Sequence, residues 1–197
     1  MHSADSSIEA VARSSVLAAS RPIIDERLSI AVPESGARFS LRLRTSSGVA
    51  AGLAWPASCL PPMSINTCIA LGGGTIARLG PDEWLVLCRD ADAERLASEF
   101  TPALRPASFS LTDIGHRDVG LLVRGLHARE VLNGGCPLDL SDAQFPPGSA
   151  TRTVFGKSEI VLLRPGVEMV YRVECWRSFA PYVYSLLRHC AREFAVC

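Results

Sequence analysis

Hydrophobic and polar positions alternate most cleanly in "RFSLRLR" (38–44). Phe39, Leu41 and Leu43 fall on one side, with Arg38, Ser40, Arg42 and Arg44 on the other. That period of two predicts a half-buried strand. The stretch 50–62 has three prolines and no period, so it is expected to be loop with at most a helical turn. Residues 66–100 predict a strand, a glycine kink, a second strand, a tight turn at Gly80-Pro81-Asp82, a third strand and then a helix. Asp90 or Asp92 is expected to cap that helix. Residues 108–125 suggest a strand interrupted near Gly115, and "GLHAREVLNGG" a short helix stopped by a left-handed turn at Gly134 and Gly135. A long connection with three prolines (136–150) leads to two more strands, 151–164 and 168–176, separated by a turn at Pro165-Gly166. The clearest helical period covers 178–194. Phe179, Val183, Leu186, Leu187, Cys190 and Phe194 form one stripe, with Ser178 as the expected cap and Pro181 in the first turn.

The strand patterns recur. "IARLGPDEWLVLC" followed by a helix resembles "IVLLRPGVEMVYRVEC" followed by a helix, which suggests two related halves packed as one body. The expected organisation is a flexible N-terminal arm over 1–22 and a single α+β body over 23–197, with halves of roughly 23–105 and 106–197. The Ser- and Ala-rich arm lacks the charged start and long apolar stretch of a secretory signal.

Composition narrows the function. Twenty basic residues balance twenty acidic ones, which argues against a nucleic-acid binder and suits a protein that works inside a complex. No apolar run is long enough to span a membrane. Seven cysteines, an odd number without a C-x-x-C pair, point to a reducing cytoplasm. His2, His116, His127 and His189 show no zinc-type spacing, so no metal site is expected. "GGG" at 72–74 could cradle a phosphate, but it lacks the P-loop pattern and fits a kink or bulge.

Two stretches carry candidate chemistry. In "LTDIGHRDVG" (111–120), His116 could act as a base oriented by Asp113 or Asp118, with Cys136 as nucleophile. Alternatively, these residues form a structural polar turn, with His116 and Asp118 on one strand face. In "ECWRSFAPY" (174–182), Ser178 sits where a strand–elbow–helix nucleophile would, but without G-x-S-x-G it fits better as a cap. Trp176 and Arg177 are candidates for a partner interface; core packing and a surface ion pair are the alternatives.

Several strings in order carry a resemblance: "LGPDEWLVL", "LTDIGHRDVGLLVRG", "AREVLNGGCPLDL", "FPPGSATRTVFGKSEIVL" and "WRSFAPYVYSLL". Over about residues 66–190 the chain resembles the gamma-subunit family of bacterial heterotetrameric sarcosine oxidases. That family is in turn similar to the folate-binding domain of the glycine-cleavage T protein. The T-protein opening D-x-S-H appears here as Asp113-Ile114-Gly115-His116, with glycine in place of serine. The L-N pair is Leu132-Asn133, and the folate-contacting acid falls on Asp139.

The resemblance implies a T-protein-like folate-domain scaffold and an accessory subunit without catalytic residues of its own. The complex it implies demethylates sarcosine oxidatively to glycine, produces hydrogen peroxide and passes the one-carbon unit to tetrahydrofolate. FAD, FMN, NAD and tetrahydrofolate would sit on other subunits and no cofactor on this chain. The expected partner is the large alpha subunit. Asp139 and His116 would be remnants of a folate site. The alternatives are a stand-alone folate-dependent aminomethyltransferase-like enzyme with Asp139 as ligand acid, and a scaffold subunit of another complex.

Overall fold

The computed structural model describes residues 16–17, 20, 22–25, 27–33, 36–44, 55, 61–62, 64–105 and 107–194. The strands are β1 (Ile23–Ile24), β2 (Ser29–Ala31), β3 (Gly36–Leu43), β4 (Thr67–Leu71), β5 (Gly74–Arg78), β6 (Glu83–Arg89), β7 (Phe109–Asp113), β8 (Asp118–Arg124), β9 (Ser149–Phe155), β10 (Ser158–Arg164) and β11 (Val170–Trp176). The helices are α1 (Ala93–Leu104), α2 (Ala128–Asn133) and α3 (Ala180–Ala191). Most of the expected arm and of the 50–62 loop lies outside the described residues. Leu17 and Trp55 are described: Leu17 is buried in the core, and Trp55 packs 5.8 Å from Trp84.

The strands form one sheet in the order β1-β2-β8-β11-β10-β9-β4-β5-β6-β3-β7, and each pairing is antiparallel. The order exposes the repeat. The run β8-β11-β10-β9 mirrors β3-β6-β5-β4, and the two runs meet where Thr67 pairs with Ser149. Edge strands are exchanged: β2, which precedes β3, pairs with β8, while β7, which precedes β8, pairs with β3. The interrupted strand expected over 108–125 is therefore two strands. Their hydrogen bonds go to different neighbours, and residues 114–117 turn between them.

The sheet buries both faces, which explains the near-continuous apolar runs "EWLVLC" and "EIVLL". In the first repeat, Trp84, Val86 and Cys88 pack with Leu96, Phe100 and Leu104 of α1. Leu85 and Leu87 point the other way, into an inner cluster with Ala77, Ile114, Val161 and Leu163. In the second repeat, Ile160, Leu162, Tyr171 and Val173 pack with Val131, Leu132, Val183 and Leu187 of α2 and α3. The sheet curls far enough for Arg38 of β3 to bond Glu174 of β11, although β10, β9, β4, β5 and β6 lie between them in the strand order.

The structure corrects several local expectations. The 72–74 glycines make a hairpin turn: Leu71 pairs with Gly74, Gly73 has φ +99°, and a Cβ on Gly74 would lie 2.0 Å from the Leu87 carbonyl oxygen. Gly134 and Gly135 do not adopt the left-handed conformation; Gly134 has φ −63°. They are small because neighbours press on them. A Cβ would meet Cys190 Sγ at 2.8 Å from Gly134 and the Phe155 ring at 2.7 Å from Gly135. Asp92 does precede α1 but makes no side-chain cap bond, because its carboxylate is bound by Arg89 and Arg95. Those two guanidiniums hold it below the usual carboxylate range.

The last helix begins at Ala180, after Phe179, and Ser178 is not its cap. Its buried face is Ala180, Val183, Tyr184, Leu187 and Ala191. This face shares only Val183 and Leu187 with the predicted stripe. Phe179 is 41% exposed, and Leu186 is half-buried. Val183 and Leu187 are fully buried, two alanines and a tyrosine widen the face beside them, and Leu186, Cys190 and Phe194 pack half-buried against its edge. Leu187→Ala is therefore expected to cost about 2–5 kcal/mol, and Leu186→Ala clearly less, in urea unfolding. Equal losses would restore the predicted stripe.

Candidate functional site

The stretch 111–120 resolves into a self-satisfied turn. The Ile114 N–H donates to the Arg38 carbonyl at 2.8 Å, tying the turn to β3. Asp113 Oδ1 accepts from the Gly115 N–H at 2.7 Å, and the Ile114 carbonyl accepts from the Arg117 and Asp118 N–H groups. Arg117 grips Asp118 with two bonds of 2.9 and 3.1 Å. Both candidate orienting acids are thus engaged locally, and His116 is exposed. Cys136 lies elsewhere, buried in the α2–α3 core with its Sγ 3.9 Å from Thr153 Oγ1. The short Asp113-Gly115 bond and the Arg117-Asp118 pair are turn architecture of the kind Asx residues make.

Asp139 belongs to the connection between α2 and β9. It is exposed, and its Oδ1 accepts from the Ser141 N–H at 2.8 Å. That bond holds the carboxyl below the usual range. The same connection is anchored where Asp142 accepts from Arg164 at 2.5 Å and from Arg129 at 2.8 Å. Arg164 ends β10, whereas the His116 turn abuts the start of α3, beyond the other end of β11. Asp139 and His116 therefore do not build one pocket through their own bonds.

The His116 turn does meet the other sequence candidates. The Arg177 N–H donates to the Arg117 carbonyl at 2.7 Å, locking the 114–117 turn against the end of β11. Here Trp176 is 48% exposed, Phe179 41% and Tyr182 39%. The Trp176 and Phe179 ring centroids are 6.3 Å apart. Tyr182 Oη accepts from the Lys157 N–H at 3.1 Å in the turn between β9 and β10. Val154, also exposed, pairs with Glu159 of β10. The outcome is an exposed aromatic patch with Arg117, Lys157 and Arg177 around it. Behind the patch, the mouth of the curled sheet is nearly filled: a cavity of about 30 Å³, bordered by Ser40, Glu83, Arg152 and Glu174, has room for about one water molecule.

One feature was missed in the sequence. Glu174, with a 2% exposed side chain, accepts from Arg38 Nε and Arg172 Nε, each at 2.6 Å. Gly120, facing it on β8, leaves the space: a Cβ there would be 2.5 Å from Glu174 Oε1 and 2.9 Å from Arg38 Nη2. The signal was present as a lone acid within the apolar strand "YRVECW" and a glycine within "DVGLLV". The thiols nearby are poor nucleophiles. Burial pushes Cys175 up to about 12, with Glu174 and Asp118 adding to it, and burial also pushes Cys68 up to about 12.

Comparison with known proteins bears on the whole chain. The fold matches a chain of the heterotetrameric sarcosine oxidase from Corynebacterium sp. U-96 in complex with pyrrole 2-carboxylate, with a TM-score of 0.81 and 24% identity over 94% of this chain and 97% of that one. It also matches the glycine cleavage system aminomethyltransferase T from Bartonella henselae, with a TM-score of 0.58 and 13% identity over 82% of this chain and 45% of that one. Both likenesses concern the fold, and the second places this chain on less than half of the T protein. No curated protein sequence matches significantly. The model of the sarcosine oxidase, gamma subunit family covers residues 48–193, most of the sequence and every element from β4 to α3, and the chain belongs to that family.

Proposed function

We propose that this chain is the accessory gamma subunit of a heterotetrameric sarcosine oxidase and that its task is assembly. The observation that carries the reading is the family match over residues 48–193. In this reading the complex demethylates sarcosine oxidatively to glycine, forms hydrogen peroxide and hands the one-carbon unit to tetrahydrofolate. FAD, FMN, NAD and tetrahydrofolate belong to the other subunits. The proposed setting is the cytoplasm; among the described residues no helix is long and apolar enough to cross a membrane.

In this reading the residues of this chain that align with the folate motif serve its own turns. The Asp139 carboxylate serves the Ser141 turn, and His116 stands exposed in a separate turn. We assign the aromatic patch at Trp176, with Arg177 beside it, as the contact to the large alpha subunit. Half-exposed aromatics surrounded by charged groups are the usual makings of an interface centre and rim.

The test is co-expression of a tagged chain with the other subunits, followed by sarcosine turnover per assembled complex. The chain should co-purify with them. Asp139→Asn and His116→Gln should leave turnover within about threefold, since a group in general acid–base work contributes about 10²–10⁴-fold. A hundredfold loss with assembly intact would place this chain in the reaction.

A further inference from the structure

We propose that the end of the sheet remote from Trp176 holds a binding groove for a small molecule with two or more phosphate or carboxylate groups. The groove has a volume of about 530 Å³, within the usual size of small-molecule sites. It runs between β2 and the end of β8 on one side and the β4–β5 turn and the end of β6 on the other. Three strands each supply an arginine: Arg89 from β6, Arg124 from β8 and Arg172 from β11. Its described lining includes no acid, although acidic and basic residues are equal in number over the chain.

Two of the guanidiniums are braced from behind. Arg172 Nε donates to Glu174 at 2.6 Å, and Arg89 Nε donates to Asp92 at 2.7 Å. Each such bond uses the Nε–H and leaves the terminal amino groups as donors. A planar guanidinium held this way can present two parallel N–H groups to a carboxylate or phosphate. Among the described residues, Arg124 makes no ion pair, and it is exposed at the groove. Glycines let the backbone come close. Gly73 has φ +99°, and a Cβ there would strike Arg89 Nε at 2.9 Å, so the absence of a side chain lets Arg89 lie across the turn. Gly36 and Gly74 complete that wall. Arg89 and Arg172 are each paired with an acid behind the groove, but Glu174 is shared with Arg38 and Arg124 has no acid partner among the described residues, so the groove keeps a net positive charge that an anion offsets. The site does not depend on the assembly reading above.

Calorimetric titration of the full chain with pyrophosphate and with citrate tests this, each at low and at moderate salt. Saturable binding of either probe at one site, weakened by salt, is expected, and the stronger probe names the class. Arg124→Gln should weaken that binding at least tenfold and Arg124→Lys by less, with the melting temperature of the unliganded chain unchanged. Arg89→Gln provides a second variant on a different strand. Absence of binding by both probes, or equal binding by the Arg124→Gln chain, would overturn the proposal. Glu34, between the lining residues Pro33 and Gly36 in sequence, lies outside the described residues. If only a Glu34→Gln chain bound the probes, the protein's own carboxylate would be the occupant and the proposal would fail. The titration is repeated on the assembled complex. Retained binding supports a small-molecule site; binding lost on assembly means that a partner segment covers the groove, and overturns it.

Discussion

Glu174→Ala is expected to destabilise the chain by about 3–5 kcal/mol, the loss typical of removing one partner from a buried ion pair. Glu174 is enclosed almost fully, and the Arg38 side chain is only 10% exposed. Removing the carboxylate leaves the Arg38 guanidinium in the inner face of the sheet with one remaining bond, to the Gly36 carbonyl at 2.8 Å. Arg172, whose side chain is 20% exposed, can turn outward and contributes less to the loss. Gly120→Ala attacks the same site without changing charge. Its Cβ would come within 2.5 Å of Glu174 Oε1, so the carboxylate must move out of two bonds at once. Replacing both Arg38 and Glu174 by Met and Leu should cost much less than Glu174→Ala alone, because no charge is stranded. Urea unfolding of the three variants decides the matter. If Glu174→Ala costs under about 1 kcal/mol, the cluster is solvated and holds nothing together.

Much of this architecture is legible in the sequence, and the exceptions have physical causes. The alternation in 38–44 gives β3 and its buried side directly, because Phe39, Leu41 and Leu43 pack on α1. The same alternation places Arg38 on the opposite face but cannot reveal that this face is also interior. That depends on the curl of the sheet, a long-range property. The recurrence of strand and helix patterns anticipates the two repeats, but the exchange of β2 and β7 between them is not encoded in local period. The helix over Ala180–Ala191 and most of its inward stripe are found; the exception is Phe179, which precedes the helix and is exposed.

At the site, Trp176 and Arg177 can be selected from sequence as an aromatic beside a cation at a helix start. Their junction with the His116 turn rests on one backbone bond between Arg177 and Arg117, groups far apart in sequence. No side-chain pattern records such a bond. Asp139 illustrates the reverse limit. Its position in a motif is legible, while the Ser141 N–H that occupies its carboxylate is visible only in three dimensions.

Trp176→Ala is expected to weaken assembly with the alpha subunit by about 2–4 kcal/mol, roughly 30- to 1000-fold in Kd, if the patch is the interface centre. Truncation of a central aromatic removes a large contact area and leaves its pocket on the partner unfilled. Trp176 already stands 48% exposed in the single chain, so its removal should lower the melting temperature of that chain little. This separates an interface role from a core role, where stability and assembly would fall together. Phe179→Ala should act in the same direction, and the double variant should lose less than the sum, because the two rings support each other across 6.3 Å. Arg177→Ala should show a smaller loss that shrinks further with salt, as rim charges do. Val167, 82% exposed in the β10–β11 connection, and Ile24, 79% exposed in β1 at the edge of the sheet, are the controls. Both are large apolar residues outside the patch, and their alanine variants should assemble normally. Affinity is read by titrating each variant onto the remaining subunits on a sensor surface. If Trp176→Ala binds as tightly as the Val167→Ala and Ile24→Ala controls, the alpha subunit contacts another face and the assignment of this patch fails.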